Sequence, residues 1–373
     1  MAPMSKSAPA GDGNPSAKTS RDPDSKATSA PELSVVVLNY NGKQWLSRCF
    51  ESLEKQTIFQ QIEVILTDNK SADGSDQFAE QWLSRLQKGR VVQNGANLGY
   101  CEANNNGAAA ATGKYLLFLN NDTWLEPDCL EKLLAGVEAC HADAATPLVL
   151  DYDSDNFQSI GGHGIDLFGM APGLKPVSKT TEIFVACGCS LLISAEMFRR
   201  VGGFDPALFI YVDETDLSFR VIIAGGKIVG VPSARLHHRG AAGVNPAGDT
   251  KVVEARTTET KRFLANRNGL LLLLKDCQNI LLVLLIPQLL LLAVEMVISL
   301  VLVRRWSYIR KAYIGAVADC WRLRHHVREW RQRIRGFRQR SDFQMLRYLR
   351  LKPNRWEEAI KLIKSGGVKI DPR

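Results

Sequence analysis

The sequence predicts an α/β protein: a mainly parallel sheet covered by helices, followed by a helical region that rests against a membrane. Three observations predict it. Short apolar runs that end in polar turn residues alternate with helical patterns through the first half of the chain. An apolar stretch of 25 residues, Asn279–Val303, follows much later. From Arg304 onward there are 20 Lys and Arg against 6 Asp and Glu, so the net charge of +8 is a property of the tail.

In chain order, residues 1–32 are rich in Ser, Ala, Pro and Gly and lack large apolar side chains, which predicts a disordered leader. No apolar stretch precedes Leu33 to serve as a secretory signal, so the α/β part is expected in the cytoplasm. Eight cysteines without a CxxC pair suit a reducing compartment. Ser34–Asn39 reads as a strand, Tyr40-Asn41-Gly42 as a turn, and the spacing of Trp45, Leu46, Cys49 and Leu53 as a helix. The pattern repeats in Glu63–Thr67, the polar loop from Asp68 to Gly74, and a helix through Phe78, Trp82 and Leu86. Two successive βα units imply a parallel sheet. Further strands are expected at Arg90–Gln93, Tyr115–Leu119, Ala145–Leu150 and Ile228–Pro232, with a small-residue helix over Ala103–Ala111.

In such sheets ligands sit beyond the C-terminal strand ends. The residues there are Asn39 and Tyr40, Asp68, Asn97, and Asn120-Asn121-Asp122, polar in every loop. The last group places one carboxylate and two amides after an apolar strand, oxygen ligands suited to Mg²⁺ or Mn²⁺ on a diphosphate. A second group, Asp213-Glu214-Thr215-Asp216, opens a helix. Acids there satisfy the helix dipole, but three in four positions exceed that need. Asp213 and Glu214 do not both ionise cheaply if buried, and a carboxylate beside a sugar hydroxyl acts as a general base. Arg220 stands one turn from Asp216 and can pair with it. His238, after a strand, offers an imidazole to a metal or diphosphate.

The blocks VVVLNYN, ILTDNKSADGS, NLGYCEANNNG, YLLFLNNDTWLEPDCL, CGCSLLISAEMFRRVGGFD and LFIYVDETDLSFRVIIAGGKIVGVPSARLHH are similar, in order and spacing, to family 2 glycosyltransferases of the GT-A fold. They resemble in particular the bacterial rhamnosyltransferase-like and galactofuranosyltransferase-like branch. The resemblance covers residues 33–275 and implies an inverting enzyme. In it a carboxylate deprotonates an acceptor hydroxyl, which attacks the donor sugar while a metal stabilises the departing nucleoside diphosphate. It implies a UDP- or dTDP-sugar donor, a glycan or lipid-linked acceptor and a role in cell-envelope polysaccharide synthesis. By position it implies nucleotide-sugar contacts at Asn39, Tyr40, Asp68, Asn97, Asn121 and Asp122, a metal at Asp122 and His238, and Glu214 as the base with Asp213 as the alternative. Asn120-Asn121-Asp122 stands where many members have DxD, leaving one carboxylate fewer.

The stretch 276–303 is long enough to span a bilayer, but Pro287 and Gln288 interrupt it, Glu295 is costly there, and arginines flank both ends. A re-entrant or interfacial hairpin on the cytoplasmic face is therefore expected, with a single span as the alternative. The basic helical tail, 304–373, with Trp306, Tyr308, Trp321 and Trp330 among arginines, fits an anionic lipid surface. A non-enzymatic nucleic-acid or membrane binder would leave the acidic half unexplained. A processive synthase would carry QxxRW, and the Gln is missing before Arg305-Trp306.

Overall fold

The computed structural model describes residues 31–240, 256–351 and 369–370. The expected leader falls almost entirely outside the described residues, as does the far end of the tail.

The chain opens with β1 (Leu33–Asn39), α1 (Lys43–Glu54), β2 (Ile62–Asp68), α2 (Ser75–Leu83), β3 (Gly89–Gln93), α3 (Gly99–Ala110) and β4 (Tyr115–Asn120). Then come β5 (Thr123–Leu125), α4 (Cys129–Cys140), β6 (Ala144–Asp151), the short β7 (Phe157–Ser159), β8 (Ile165–Asp166) and β9 (Thr181–Ile183), β10 (Ser190–Ser194), α5 (Ala195–Arg200), α6 (Asp213–Ile223) and β11 (Ile228–His238). The sheet order is β3-β2-β1-β4-β10-β6-β11-β5. The β1, β2, β3 and β4 pairings are parallel, and so is β6 with β11; β10 runs antiparallel between β4 and β6, and β5 antiparallel to β11. The sheet is thus mixed and mainly parallel, as expected.

Both faces are buried, which is why the central strands read as unbroken apolar runs. Val35, Val37, Leu117 and Leu119 point into one core with α1 and α4, while Val36, Leu116 and Phe118 point into the other with α5 and α6. Register aligns the chemistry: Asn39 lies opposite Asp68, Leu38 opposite Asn120, and His238 opposite Thr123. A register shift in β11 between Val231 and Arg235 accommodates Pro232 and carries the strand on to His238.

Beyond the sheet lie α7 (Glu259–Asp276), α8 (Leu285–Val303), α9 (Trp306–Ile309), α10 (Ala316–Arg322), α11 (Arg324–Phe337) and α12 (Asp342–Met345). The expected hairpin does not form. A 3-10 turn, Leu281–Leu284, runs directly into α8, so the apolar stretch Leu281–Val303, with a mean hydropathy of 2.6, forms a single rod. Pro287 lies in the first turn of α8, where a missing N–H costs nothing. Gln288 and Glu295 face α7: Gln288 is buried beside Gly269, and Glu295 stands 3.8 Å from Arg262.

The helices after Arg304 also pack inward. Tyr308, Ile309, Tyr313, Val327, Trp330 and Ile334 join the core that holds α6 and α7. Of the four tail aromatics expected at a lipid surface, Trp306 and Trp321 are exposed, whereas Tyr308 and Trp330 are buried.

Candidate active site

Asn39 is the hub at the strand ends. Its buried amide donates to Asp68 (2.8 Å), Ser71 (3.0 Å) and Ser75 (2.7 Å), and its oxygen accepts from Asn121 (2.7 Å). Gly42 makes this possible, because a Cβ there would overlap the Asn121 amide. The Asp68 carboxylate also accepts from the Ser71 N–H (2.8 Å) and hydroxyl (2.6 Å). Asn39, Asp68 and Asn121 therefore brace the loops around the cleft with their own side chains. Tyr40, beside them, is half exposed and open to a flat partner such as a nucleobase. Asn97 holds the start of α3 through the Gly99 N–H (3.0 Å) and reaches the cluster through Asn69 (3.3 Å).

One strand further, Asp122 and His238 face each other, with Oδ1 and Nε2 separated by 3.4 Å. His238 Nδ1 lies 2.8 Å from Gln158 Oε1, whose own amide donates to the His238 carbonyl (3.3 Å). That arrangement directs Nε2 toward Asp122, as supporting partners of metal-ligating histidines do. Burial lowers the imidazole pKa, but Cys189 and the Asp122 carboxylate outweigh it and raise it well above the ordinary range. One oxygen and one nitrogen ligand suit a divalent cation completed by phosphate and water. Asn121, turned to Asn39, is not part of this pair. A separate cluster, Glu126, Asp155 and His237, brings potential ligand atoms within 4.8 Å of one another. There Arg235 already pairs with Glu126 (2.8 Å) and Asp155 (2.9 Å).

The turn Cys187-Gly188-Cys189 joins the two halves of the site. Cys189 lies beside His238, and the Glu214 carboxyl stands 3.5 Å from where a Cβ on Gly188 would project. The Tyr100 hydroxyl donates to the Gly188 carbonyl (2.8 Å) and lies near both Asp213 and Glu214. Asp213 is buried and Glu214 half buried at the start of α6. Burial, and then the neighbouring Glu214, raises Asp213 well above the ordinary carboxyl range, and burial raises Glu214. Arg220 meets Asp216 at 2.6 Å, as its spacing implies, with both side chains fully buried.

A strand-end cradle, a carboxylate–imidazole pair and an acidic helix start lie together on a sheet of the GT-A type. Glycosyl transferase family 2 matches residues 34–202. The N-acetylglucosaminyl-diphospho-decaprenol L-rhamnosyltransferase of Mycobacterium tuberculosis H37Rv is 30% identical over 274 residues, covering 64% of this chain and 85% of the relative. The chain belongs to glycosyltransferase family 2 and is a rhamnosyltransferase-like glycosyltransferase. Among solved structures, GalNAc-T7 with UDP, GalNAc and Mn²⁺ shares the fold at TM-score 0.51 and 20% identity, over 66% of this chain and 48% of that one. The Pyrobaculum calidifontis mannosyltransferase bound to GDP-Man and Mn²⁺ does so at TM-score 0.50 and 14% identity, over 89% of both chains.

Sequence reasoning passed over Ser71, Ser75 and Tyr100, and took Cys187 and Cys189, on either side of Gly188, as small buried residues near a strand. Only the serines carried a local signal, as turn residues directly after a strand.

Proposed function

We propose that the enzyme moves a sugar, by one inverting displacement, from a UDP- or dTDP-sugar to a hydroxyl of a glycan or lipid-linked acceptor in cell-envelope polysaccharide synthesis. The observation that carries this reading is the placement of the Asp122–His238 pair and the Asp213–Glu214 helix start on either side of the Cys187–Cys189 turn. Tyr40 and the loops braced by Asn39, Asp68 and Asn97 receive the nucleotide. Asp122 and His238 would hold a Mg²⁺ or Mn²⁺ ion, which would supply positive charge next to the leaving diphosphate. Glu214 takes the proton of the attacking hydroxyl.

Calorimetry with UDP-, dTDP- and GDP-sugars tests the donor half. Metal-dependent binding of one nucleotide is expected, lost in EDTA and weakened at least about tenfold by Asp122→Asn, a loss in keeping with removal of one charge-assisted contact. No binding across the panel would sink the reading.

The acceptor half rests on the outer surface. Val283, Ile286, Leu290, Val294, Val297 and Val301 recur at helical spacing along Leu281–Val303, all exposed, and the chain continues directly into Arg304, Arg305, exposed Trp306 and Arg310. Such a face suits insertion into the plane of an anionic bilayer. Because α8 is tied to α7 by Glu295 and to the following helices through the Ser299–Tyr313 hydrogen bond (2.9 Å), lying in the interface is favoured over spanning. The relative's name places its rhamnosyl transfer on a diphospho-decaprenol carrier, and a membrane-bound cytoplasmic enzyme suits a carrier of that kind. Ile286→Glu combined with Leu290→Glu should abolish flotation with phosphatidylglycerol vesicles and leave the melting temperature unchanged. Undiminished flotation would remove α8 as the anchor.

A further inference from the structure

The loop that feeds α6 is wound into conformations that its side chains resist. Phe209, Tyr211 and Val212 have φ values of 64°, 72° and 66°. The Ile210 N–H bonds back to the Leu208 carbonyl at 2.8 Å, so Phe209, with ψ −63°, is the centre of a γ-turn of the rare, strained hand. Val212 is β-branched and left-handed, an outlier in its own right. Such strain persists only where the surroundings over-determine it.

The surroundings here converge on one side chain of α7. The Asn268 amide donates to the carbonyls of Leu208 (2.9 Å), Ile210 (2.9 Å) and Tyr211 (2.8 Å). Neither a helix nor a strand presents carbonyls at i, i+2 and i+3 to one nitrogen; a loop curled around that donor does. The Asn268 oxygen accepts from Arg267 Nε (3.0 Å), and the same guanidinium reaches the carbonyls of Ala207 (2.6 Å) and Leu208 (3.2 Å) and the Asp319 carboxylate (3.2 Å). The remaining carbonyl, Phe209, accepts from the N–H groups of Tyr100 (2.6 Å) and Cys101 (3.1 Å) at the start of α3. Asn268 is completely buried, and its two amide hydrogens are shared among three acceptors.

We propose that Asn268, seated by Arg267, is a positioning residue for the transfer reaction: it holds the 207–212 loop in its left-handed path so that Asp213 and Glu214 emerge aimed at the Gly188–Cys189 turn. The inference rests on the carboxylate reading of the site and adds to it a residue that touches neither donor nor acceptor.

The test compares Asn268→Ala with Asn266→Ala in the full-length chain. Asn266 is equally buried on the same helix but donates to the Ala312 carbonyl (2.9 Å), away from the loop. The readouts are melting temperature, calorimetric binding of whichever UDP-, dTDP- or GDP-sugar binds in the panel above with Mn²⁺, and release of the nucleoside diphosphate from that donor at saturation. Asn268→Ala should lower kcat by about 10²-fold, the cost of a displaced catalytic group, with donor Kd changed less than about twofold. Asn266→Ala should lower the melting temperature comparably and keep kcat. If both variants lose kcat in step with their melting temperatures, or if Asn268→Ala weakens donor binding as much as turnover, the clamp is overturned. Should Asn268→Ala fail to fold, Asn268→Asp keeps the size and the Arg267 contact without the donor; wild-type turnover in it overturns the proposal. Full turnover in both Glu214→Gln and Asp213→Asn would fell the carboxylate reading instead, a result separable from normal turnover in the Asn268 variants alone.

Discussion

Glu214→Gln should lower turnover by about 10²–10⁴-fold, the usual worth of a positioned general base, while donor binding with Mn²⁺ stays intact. The geometry favours Glu214 over Asp213: its side chain is half buried and its carboxyl lies against Gly188, whereas Asp213 is buried. The pH dependence follows from the same burial. Asp213 is held well above the ordinary carboxyl range by burial and by Glu214, and Glu214 is raised by burial, with Tyr100, Tyr211, Cys101 and Asp216 the other ionisable groups around them. A base works deprotonated, so kcat should fall as pH drops through a raised value, above the ~4.3 of an ordinary glutamate. As the two carboxyls interact, the limb belongs to the pair. Quench-flow or coupled assays of kcat against pH check both points. Wild-type turnover in Glu214→Gln, with turnover lost in Asp213→Asn, would transfer the role to Asp213.

Much of this arrangement was legible because the central strands are buried on both faces and end in polar turns, so β1, β2 and β4 announce their own C-terminal ends, whereas β11, expected to stop at Pro232, runs on past a register shift to His238. The antiparallel strands were not legible. Thr123–Leu125 is three residues long, and Ser190–Ser194 lies among small residues, so neither shows a period. Asp122 and His238 were readable as separate motifs, but the Gln158 that orients the imidazole comes from a short strand 80 positions earlier. The misreading was greatest in the tail, where charge suggested a solvated lipid contact. Trp330 was expected at the interface and instead covers the buried cations Lys275 and Arg220. Helical spacing separates Trp330 from its exposed arginine neighbours, but composition averages the two faces together.

Lys275→Met should be the most destabilising single substitution outside the catalytic cleft. Lys275 Nζ lies 2.6 Å from Asp205 and 2.7 Å from Asp216, with all three side chains inaccessible. Around it, Arg220 pairs with Asp216, His326 of α11 meets Asp205 at 2.8 Å, and Trp330 stacks over both Lys275 (4.6 Å) and Arg220 (4.7 Å). Burial would raise Asp205, but Lys275 and His326 hold it well below the ordinary range; burial, then Asp216, raises the neighbouring Asp276 well above it. The cluster therefore pairs two carboxylate side chains, Asp205 and Asp216, with two cationic ones, Lys275 and Arg220. Methionine keeps the volume but strands a buried carboxylate, a loss of about 3–5 kcal/mol, or on the order of 10 °C in melting temperature. The sign of the pH dependence should change as well. A depressed Asp205 contributes stability above the ordinary aspartate value of ~3.9, lost as pH falls through its folded value. Without Lys275 the same carboxyl is pushed upward, so the variant should lose stability as pH rises from about 5 to 8, where the wild-type contribution from Asp205 is constant. Thermal melts of both proteins across that range decide the matter: parallel curves within about 2 °C, small against the shift expected from a broken buried pair, would mean that the ionic cluster does not hold α11 to the catalytic core.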